Sequence, residues 1–474
     1  MNNNIKIRKT LLAGLFSGLV VCLPLSVSAE KSTEALSLKS FVELVTRNDT
    51  VFEEILIDTL KIKYRRDIGL PVDDIILSVK ATHNYYLDQD RNDPELTMGL
   101  SRLFQDTGTD VSLSYAHSSS ATSSTADSSL QFLISQPIAE NAFGRGTRLL
   151  DQIIGLENDV IRYQVVEAYE DYLASLTAIY YNWYSAFENM KVGQASYNSN
   201  MKLMDNIHER QRQNIALPID VNKMELLVIG KKENLIALRE NFANITNLVK
   251  KAIRADMAVN VVPVNPSFER RHDLVFDRDY QQFTANSRTY RMLSLLENKG
   301  VLNMQKTADD LLPSTNLLLG YKIEGSDWGI NNNNDKVFAG ISVTWPLGNK
   351  VDKAKHELAR IDHKKTVLSN KNKYEDLRTS LNNIYLQVDR EKALIDIAKR
   401  KIVLAEAVLT DEAENYSFGK VSLNDYIDAV NRVDESHFNK ILHTVQLNKL
   451  LVEWLRLTDK LVDESVLDKT KSIN

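Results

Sequence analysis

The stretch NKVDKAKHELARIDHKKTVLSNKNKYEDLRTSLNNIYLQVDREKALIDIAKRKIVLAEAVLTDEAENYSF, from Asn349 to Phe418, runs seventy residues without a glycine or a proline. After Gly419 neither residue recurs before Asn474. At 1.5 Å of rise per residue, an unbroken helix of this length reaches roughly 105 Å, and so long a helix is rarely the core of a compact domain. Thr147 to Leu217 reads the same way, interrupted only by Gly155 and Gly193. Its apolar positions Val166, Tyr169, Leu173, Leu176, Tyr180, Trp183 and Phe187 alternate steps of three and four, the spacing that packs one helix along another in a coiled coil.

Segments of period two lie between these helices. Leu317, Leu319, Tyr321 and Ile323 alternate with Leu318, Gly320, Lys322 and Glu324, and Val337, Ala339, Ile341, Val343 and Trp345 alternate with Phe338, Gly340, Ser342 and Thr344. The spacing predicts two strands joined by Gly325 to Lys336, a connection that includes the polar tract Asn331 to Asn334. Ile75 to Tyr86, Leu96 to Phe104, Val111 to Ala116 and Leu130 to Gln136 also read as strands, with the serine-rich Ser118 to Ser129 as the matching loop.

The two halves parallel one another. Leu70-Pro71 and Leu312-Pro313 each end a helix before a strand, and Ile134-Ser135-Gln136-Pro137-Ile138 matches Val343-Thr344-Trp345-Pro346-Leu347 ahead of each long helix. Each helix turns back about eighty residues later, at Leu217-Pro218 and at Gly419-Lys420. The predicted fold is mainly α with a small β part, a helix, strand, strand, long helix, hairpin unit used twice. The expected divisions are a first repeat over 30–262, with strands about 75–137 and a helical hairpin about 147–256, and a second over 263–474, with strands about 314–347 and a hairpin about 349–466. The boundary lies in Val259 to Arg271, which holds Pro263 and Pro266.

Composition narrows the class. Of 474 residues 43% are hydrophobic and 26% charged, with a mean hydropathy of −0.28, too apolar for a disordered chain and too polar for a bundle of membrane helices. Seventeen glycines and nine prolines fall well below usual frequencies, which argues against a sandwich, a propeller or a Rossmann enzyme. A net charge of −5 argues against a nucleic-acid partner. Residues 1–29 read as a secretory signal: Lys6, Arg8 and Lys9 precede an apolar run to Leu23, and Val27-Ser28-Ala29 supplies the small residues of a cleavage site. Its removal takes three positive charges and the lone cysteine, Cys22, so the net charge goes from −5 to −8. Val21 before Cys22 disfavours a lipid anchor. No later run reaches the roughly 18 apolar residues of a spanning helix, so contact with a bilayer must use strands or a surface helix.

Two strand pairs per chain have apolar outer faces, yet four strands cannot close a barrel, which needs about eight or more. Several chains are therefore expected to share one barrel in the outer membrane, continued by a helical tube across the periplasm; the alternative reading packs the strands on the helices of a soluble α+β protein. Trp328 and Trp345 suit an interfacial aromatic girdle.

The duplicated layout resembles the TolC-like outer-membrane efflux proteins, which are trimeric channel-tunnels. The second turn carries the more specific likeness: Tyr416-Ser417-Phe418-Gly419-Lys420-Val421-Ser422-Leu423-Asn424-Asp425-Tyr426-Ile427-Asp428-Ala429 is similar to that family's Y-x-x-G-x-x-[ST]-[IL]-x-D-x-[IL]-D-A stretch. The resemblance implies a membrane β-barrel shared by a homotrimer over a coiled-coil α-barrel. It also implies acidic rings at a periplasmic entrance from Asp425 and Asp428, a closing network with Tyr416, and a role for Asp220 in the similar turn Ile219-Asp220-Val221. Leu217, Pro218, Gly419 and Lys420 become the turns that meet a periplasmic adaptor of the membrane fusion protein class, which itself joins an inner-membrane transporter. Where the family has a gating arginine this chain has Val421, with Lys420 beside it.

Helix capping competes for the same carboxylates. Ser422 and Asp425 fit an S-x-x-D capping box, and Asp220 follows Pro218 in a first helical turn, where acids favour the dipole. Capping explains Asp428 less well. Asp425 and Asp428 share a helix face, and threefold symmetry would gather six carboxylates, raising their pKa values and attracting cations. Signals for catalysis, a cofactor or a metal are weak: His356-Glu357 is followed by Arg360 and then His363, which is not the zincin spacing, and no Walker, Rossmann or nucleophile-elbow pattern occurs. The sequence reading is thus a passive exit duct for efflux or type I secretion, in contact with outer-membrane lipid. Its rival is a periplasmic coiled-coil adaptor or structural protein without a pore, which should show a single helical hairpin.

Overall fold

The computed structural model describes residues 33–47, 50–87, 91–118, 127–256, 259–266, 274–326, 328–330 and 334–462. The segment read as a secretory signal, most of the serine-rich loop and Asn331 to Asn333 lie outside the described residues. The chain opens with β1 (Thr33–Leu36) and helices α1 (Leu38–Arg47), α2 (Thr50–Leu60) and α3 (Ile62–Gly69), then four strands, β2 (Ile76–Tyr86), β3 (Arg91–Phe104), β4 (Thr109–Ser118) and β5 (Asp127–Pro137). The hairpin of α4 (Arg145–Arg212) and α5 (Pro218–Ala252) follows, then β6 (Asn260–Pro263), α6 (Phe276–Asn286) and α7 (Arg288–Asp309). Strands β7 (Ser314–Ser326) and β8 (Asn334–Thr344) lead into a second hairpin, α8 (Lys350–Ser417) and α9 (Leu423–Leu457).

The two hairpins have equal arms: α4 and α8 are each 68 residues long, α5 and α9 each 35. Starts and ends are offset by a constant 205 residues, as Arg145 against Lys350 and Pro218 against Leu423 show. The same offset relates packing. Tyr180 and Tyr385 are buried at matching heights, and so are Leu176 with Leu381 and Val249 with Trp454. Each tyrosine ties an incoming segment to the helices. The Tyr180 hydroxyl donates to the Leu36 carbonyl at 2.8 Å and accepts from the Val264 N–H at 3.1 Å. The Tyr385 hydroxyl donates to Asp279 at 2.6 Å and accepts from the Trp454 indole at 3.0 Å. Leu36 and Val264 flank a two-stranded parallel sheet of β1 with β6, a pairing the sequence reading did not anticipate. The division drawn at 262/263 falls inside β6.

The other strands correct the expectation of four per chain. Six form one antiparallel sheet in the order β2-β3-β4-β5-β7-β8. Because side chains alternate along a strand, each register row belongs to one face. One row reads Leu77, Leu100, Leu113, Phe132, Tyr321, Val337 across all six strands, and a row of the opposite face reads Ser78, Gly99, Ser114, Gln131, Lys322, Lys336. The sheet thus has an apolar face and a largely polar one. The apolar face is open to its surroundings, with Leu77 67% and Val337 74% exposed. No helix among the described residues is long and apolar enough to cross a membrane.

Candidate functional site: the paired helical turns

Both hairpin turns are built alike. At the end of α8, Gly419 adopts a left-handed conformation (φ 71°), its N–H bonds the Tyr416 carbonyl at 3.0 Å, and the Lys420 N–H bonds the Asn415 carbonyl at 3.0 Å. This is a Schellman closure, which satisfies carbonyls that have no partner further along the helix. At the end of α4, Asn214 (φ 59°) bonds the Gln211 carbonyl at 2.9 Å and Ile215 bonds the Arg210 carbonyl at 2.8 Å. Asparagine tolerates this backbone region better than other residues with a Cβ. Three residues after each left-handed residue the next helix is capped, at Leu217 with Pro218 in its first turn, and at Ser422.

The carboxylates singled out in the sequence divide here. Asp425 accepts from the Ser422 hydroxyl at 2.7 Å and from the Ser422 N–H at 3.1 Å, while its own N–H donates to the Ser422 hydroxyl at 3.4 Å. These bonds hold its carboxyl below the ordinary range for an aspartate, which favours the ionised cap. Within one chain the shift is opposite to the rise expected of six gathered carboxylates. Asp220 accepts from the Leu217 N–H at 3.3 Å, the first-repeat counterpart of that cap. Asp428 is exposed and takes part in no hydrogen bond or ion pair among the described residues. It is the free charge of the three.

Tyr416 lies in a cluster joining the two turns. Its ring stacks on Tyr426 with centroids 5.7 Å apart, over a core of Leu203, Ile207, Val221, Met224, Val228 and Leu423. Burial raises its pKa. Arg210, one turn from the end of α4, holds this cluster from the other hairpin. Its guanidinium carbon lies 4.8 Å from the centre of the Tyr416 ring, and its nitrogens donate to the Tyr416 and Ser417 carbonyls at 3.4 Å. The cation beside the tyrosine therefore comes from α4, which a search confined to the second turn's own motif could not find. Lys420, next to Val421, instead places its ammonium 5.3 Å from the centre of the Phe418 ring. Leu217 and Phe418 project outward, 63% and 66% exposed, at the tips of the two turns.

The histidines of the would-be metal motif are apart: His356 meets Thr307 at 3.1 Å, and Glu357 pairs with Arg360 at 2.9 Å. One acidic group close enough to hold an ion does occur, Glu167, Glu170 and Asp459, where α4, α7 and the end of α9 meet. Arg288 fills it. Its guanidinium bonds Glu167 at 3.0 Å, Glu170, and Asp459 at 3.4 Å, and its N–H bonds Asp459 at 2.7 Å.

No protein-family model matches the chain, and no curated protein matches it in sequence. Solved structures do match, and outer-membrane channels are among them. The chain superposes on the outer-membrane channel OprN with a TM-score of 0.69 at 12% identity, over 89% of each chain. On the outer membrane protein VceC from Vibrio cholerae the TM-score is 0.68 at 11% identity, over 89% of this chain and 95% of that one. On the Campylobacter jejuni CmeC outer membrane channel it is 0.64 at 14% identity, over 94% of each. The chain thus has the fold of these outer-membrane channels, which is the fold that its resemblance to the TolC-like proteins implied.

Proposed function

We propose that this chain is one subunit of a homotrimeric channel-tunnel in the outer membrane, a passive exit duct whose long hairpins form a tube in the periplasm. The observation that carries this reading is the six-stranded sheet, apolar on one face and polar on the other, set at the base of two 68-residue helices. A face of exposed leucine, valine and isoleucine is costly in water and favourable in hydrocarbon, at roughly 25 cal/mol per Å². The polar face then lines a water-filled lumen. The matching halves read as a duplication, so three copies supply six hairpins in near-sixfold arrangement, with α4, α5, α8 and α9 as staves.

In this reading Tyr416, Asp220 and Arg210 hold the entrance narrow, Asp425 and Asp428 give it negative charge, and the tips at Leu217, Pro218, Gly419 and Lys420 receive a periplasmic adaptor. An inner-membrane transporter supplies the energy for efflux or type I secretion. Purified protein inserted in planar bilayers tests the reading. Discrete, ohmic channel events from a trimer are expected, and a monodisperse monomer that stays soluble without detergent would overturn it.

A further inference from the structure

The hairpin β2–β3 lies at the edge of the sheet, beyond the four strands that the two halves share, and it has every property of the strands beside it. Its strands are 11 and 14 residues long, against 10 to 13 for the other four, all enough for the 9–11 residues that a tilted strand needs to cross hydrocarbon. Its apolar side chains Leu77, Val79, Met98 and Leu100 continue the outward face without a slip of register, and Ser78, Lys80 and Thr97 continue the polar one. The β3–β4 turn is built into the base of the sheet: the Gln136 amide donates to the Thr107 carbonyl at 2.9 Å and Arg148 to the Asp106 carbonyl at 2.6 Å. The entry to β2 is likewise tied to the foot of β3, with Arg102 and Gln105 donating to the carbonyls of Asp73 and Pro71 at 3.2 and 2.7 Å.

An apolar face of this kind commits all six strands to hydrocarbon, and hydrocarbon does not tolerate open strand edges, because each unpaired N–H and C=O there costs several kcal/mol. The two free edges are those of β2 and β8. Every neighbouring pair in the sheet is antiparallel, so these edge strands run in opposite directions and two copies can join edge to edge with the alternation unbroken. We propose that β2 of one copy pairs with β8 of the next, and that three copies with six strands each close a barrel of eighteen strands. The inference rests on the trimeric channel proposed above and replaces the twelve strands that four per chain would give. Barrels of 16–18 strands enclose a water-filled channel, so the outer mouth is wide and the constriction falls to the helical end.

Paired cysteines in the full-length protein test this, since the mature chain has none of its own. K80C or S78C is combined in turn with K336C, G340C or S342C, all on the polar face, and S114C or S112C is combined with the same three. Oxidised outer membranes are then run on non-reducing gels. At least one β2–β8 combination is expected to give disulfide-linked trimers, and the β4–β8 combinations none. Trimers linked through β4 and β8, or a native trimer that no β2–β8 pair can link, would overturn the eighteen-stranded ring while leaving the channel reading intact. Absence of any trimer on native gels would overturn both. Membrane-impermeant maleimide is a second readout: single cysteines K80C and T97C should label from the aqueous side, while V79C and M98C should not.

Discussion

The guanidinium of Arg210 on α4 packs against the ring of Tyr416 on α8, 4.8 Å from its centre, and bonds the two carbonyls at the end of that helix. A cation is well placed at a helix C-terminus, where the last carbonyls are unpaired and the dipole is negative. The contact therefore does three things at once: it caps α8, it fixes Tyr416 against Tyr426, and it couples one hairpin to the other. In the channel proposed above, a hairpin that swings outward to widen the entrance would have to give up these bonds.

Substituting Arg210 should consequently favour the open state. A partly buried cation–π contact is worth about 0.5–2 kcal/mol, a shift of roughly two- to thirtyfold in the closed–open ratio per subunit. R210A is expected to raise mean single-channel conductance, and R210K to lie between it and the parent, since lysine restores charge without the planar fork. Equal conductance in all three would mean that the contact only caps α8.

The buried tyrosines give a stability prediction. Y385F removes a hydroxyl that serves both Asp279, itself 4% exposed, and the Trp454 indole. Asp279 keeps its bonds from the Val275 N–H and Arg278, so the Trp454 indole is the partner left without this acceptor, and leaving a buried donor unmade costs about 1–3 kcal/mol. Y180F removes the hydroxyl that braces Leu36 and Val264, but the Val264 N–H keeps its direct bond to the Leu36 carbonyl at 3.1 Å, so it should cost less while still loosening the β1–β6 pairing. Denaturant midpoints followed by circular dichroism should fall in both variants. A fall in only one would show that the two halves, though equal in length, are anchored differently.

Much of this architecture is legible in residue spacing. The length of α8 follows from seventy residues without Gly or Pro, and the cap at Ser422 from its distance to Asp425. Local chemistry sets both. Arg210 was not legible, because its partner lies 206 residues away and nothing within α4 marks it out from other surface arginines. The β1–β6 sheet escaped for a related reason: two four-residue strands have too few alternations to register as a period. All six strands of the sheet are visible as strand-like runs, and the expectation of four per chain follows only from treating the two halves as identical units. Pairing is a property of the sheet, and sequence periodicity reports only which face a residue takes.

The cluster around Arg288 sets a pH dependence. Burial pushes the Glu170 carboxyl up from 4.5 to about 8 against the pull of Arg288, because water is excluded from a site holding three carboxylates and one guanidinium. A carboxyl whose pKa is raised on folding contributes its stability fully below its unfolded value near 4.5, and that contribution is lost as the pH rises through about 8. The denaturant midpoint should therefore decline between pH 5 and 8.5, and E170Q should flatten the decline. R288M, which leaves three carboxylates without their cation, should cost about 3–5 kcal/mol near pH 8 and less near pH 5. A midpoint for R288M that does not depend on pH would contradict this account.

The three aspartates of the turns separate capping from conduction. Asp425 is bonded twice to Ser422, so D425A removes one half of the capping box and loosens the turn. Because Asp425 has a depressed pKa, its contribution is present above its ordinary value of 3.8 and is lost as the pH falls through the lower folded value. Asp428 has no such duty, being exposed and unbonded on the same helix face, so D428A should leave the unfolding midpoint unchanged. If three copies gather these faces on an axis, the Asp428 charges act in a constriction where salt screens less than on an open surface. D428A should then lower cation selectivity and weaken block by multivalent cations, while D425A does both and also destabilises the turn. Reversal potentials in asymmetric salt read the first effect and current block by a trivalent hexammine complex the second. If D428A keeps the parent's selectivity and block, the turn is a cap at the end of a hairpin and the entrance charge lies elsewhere.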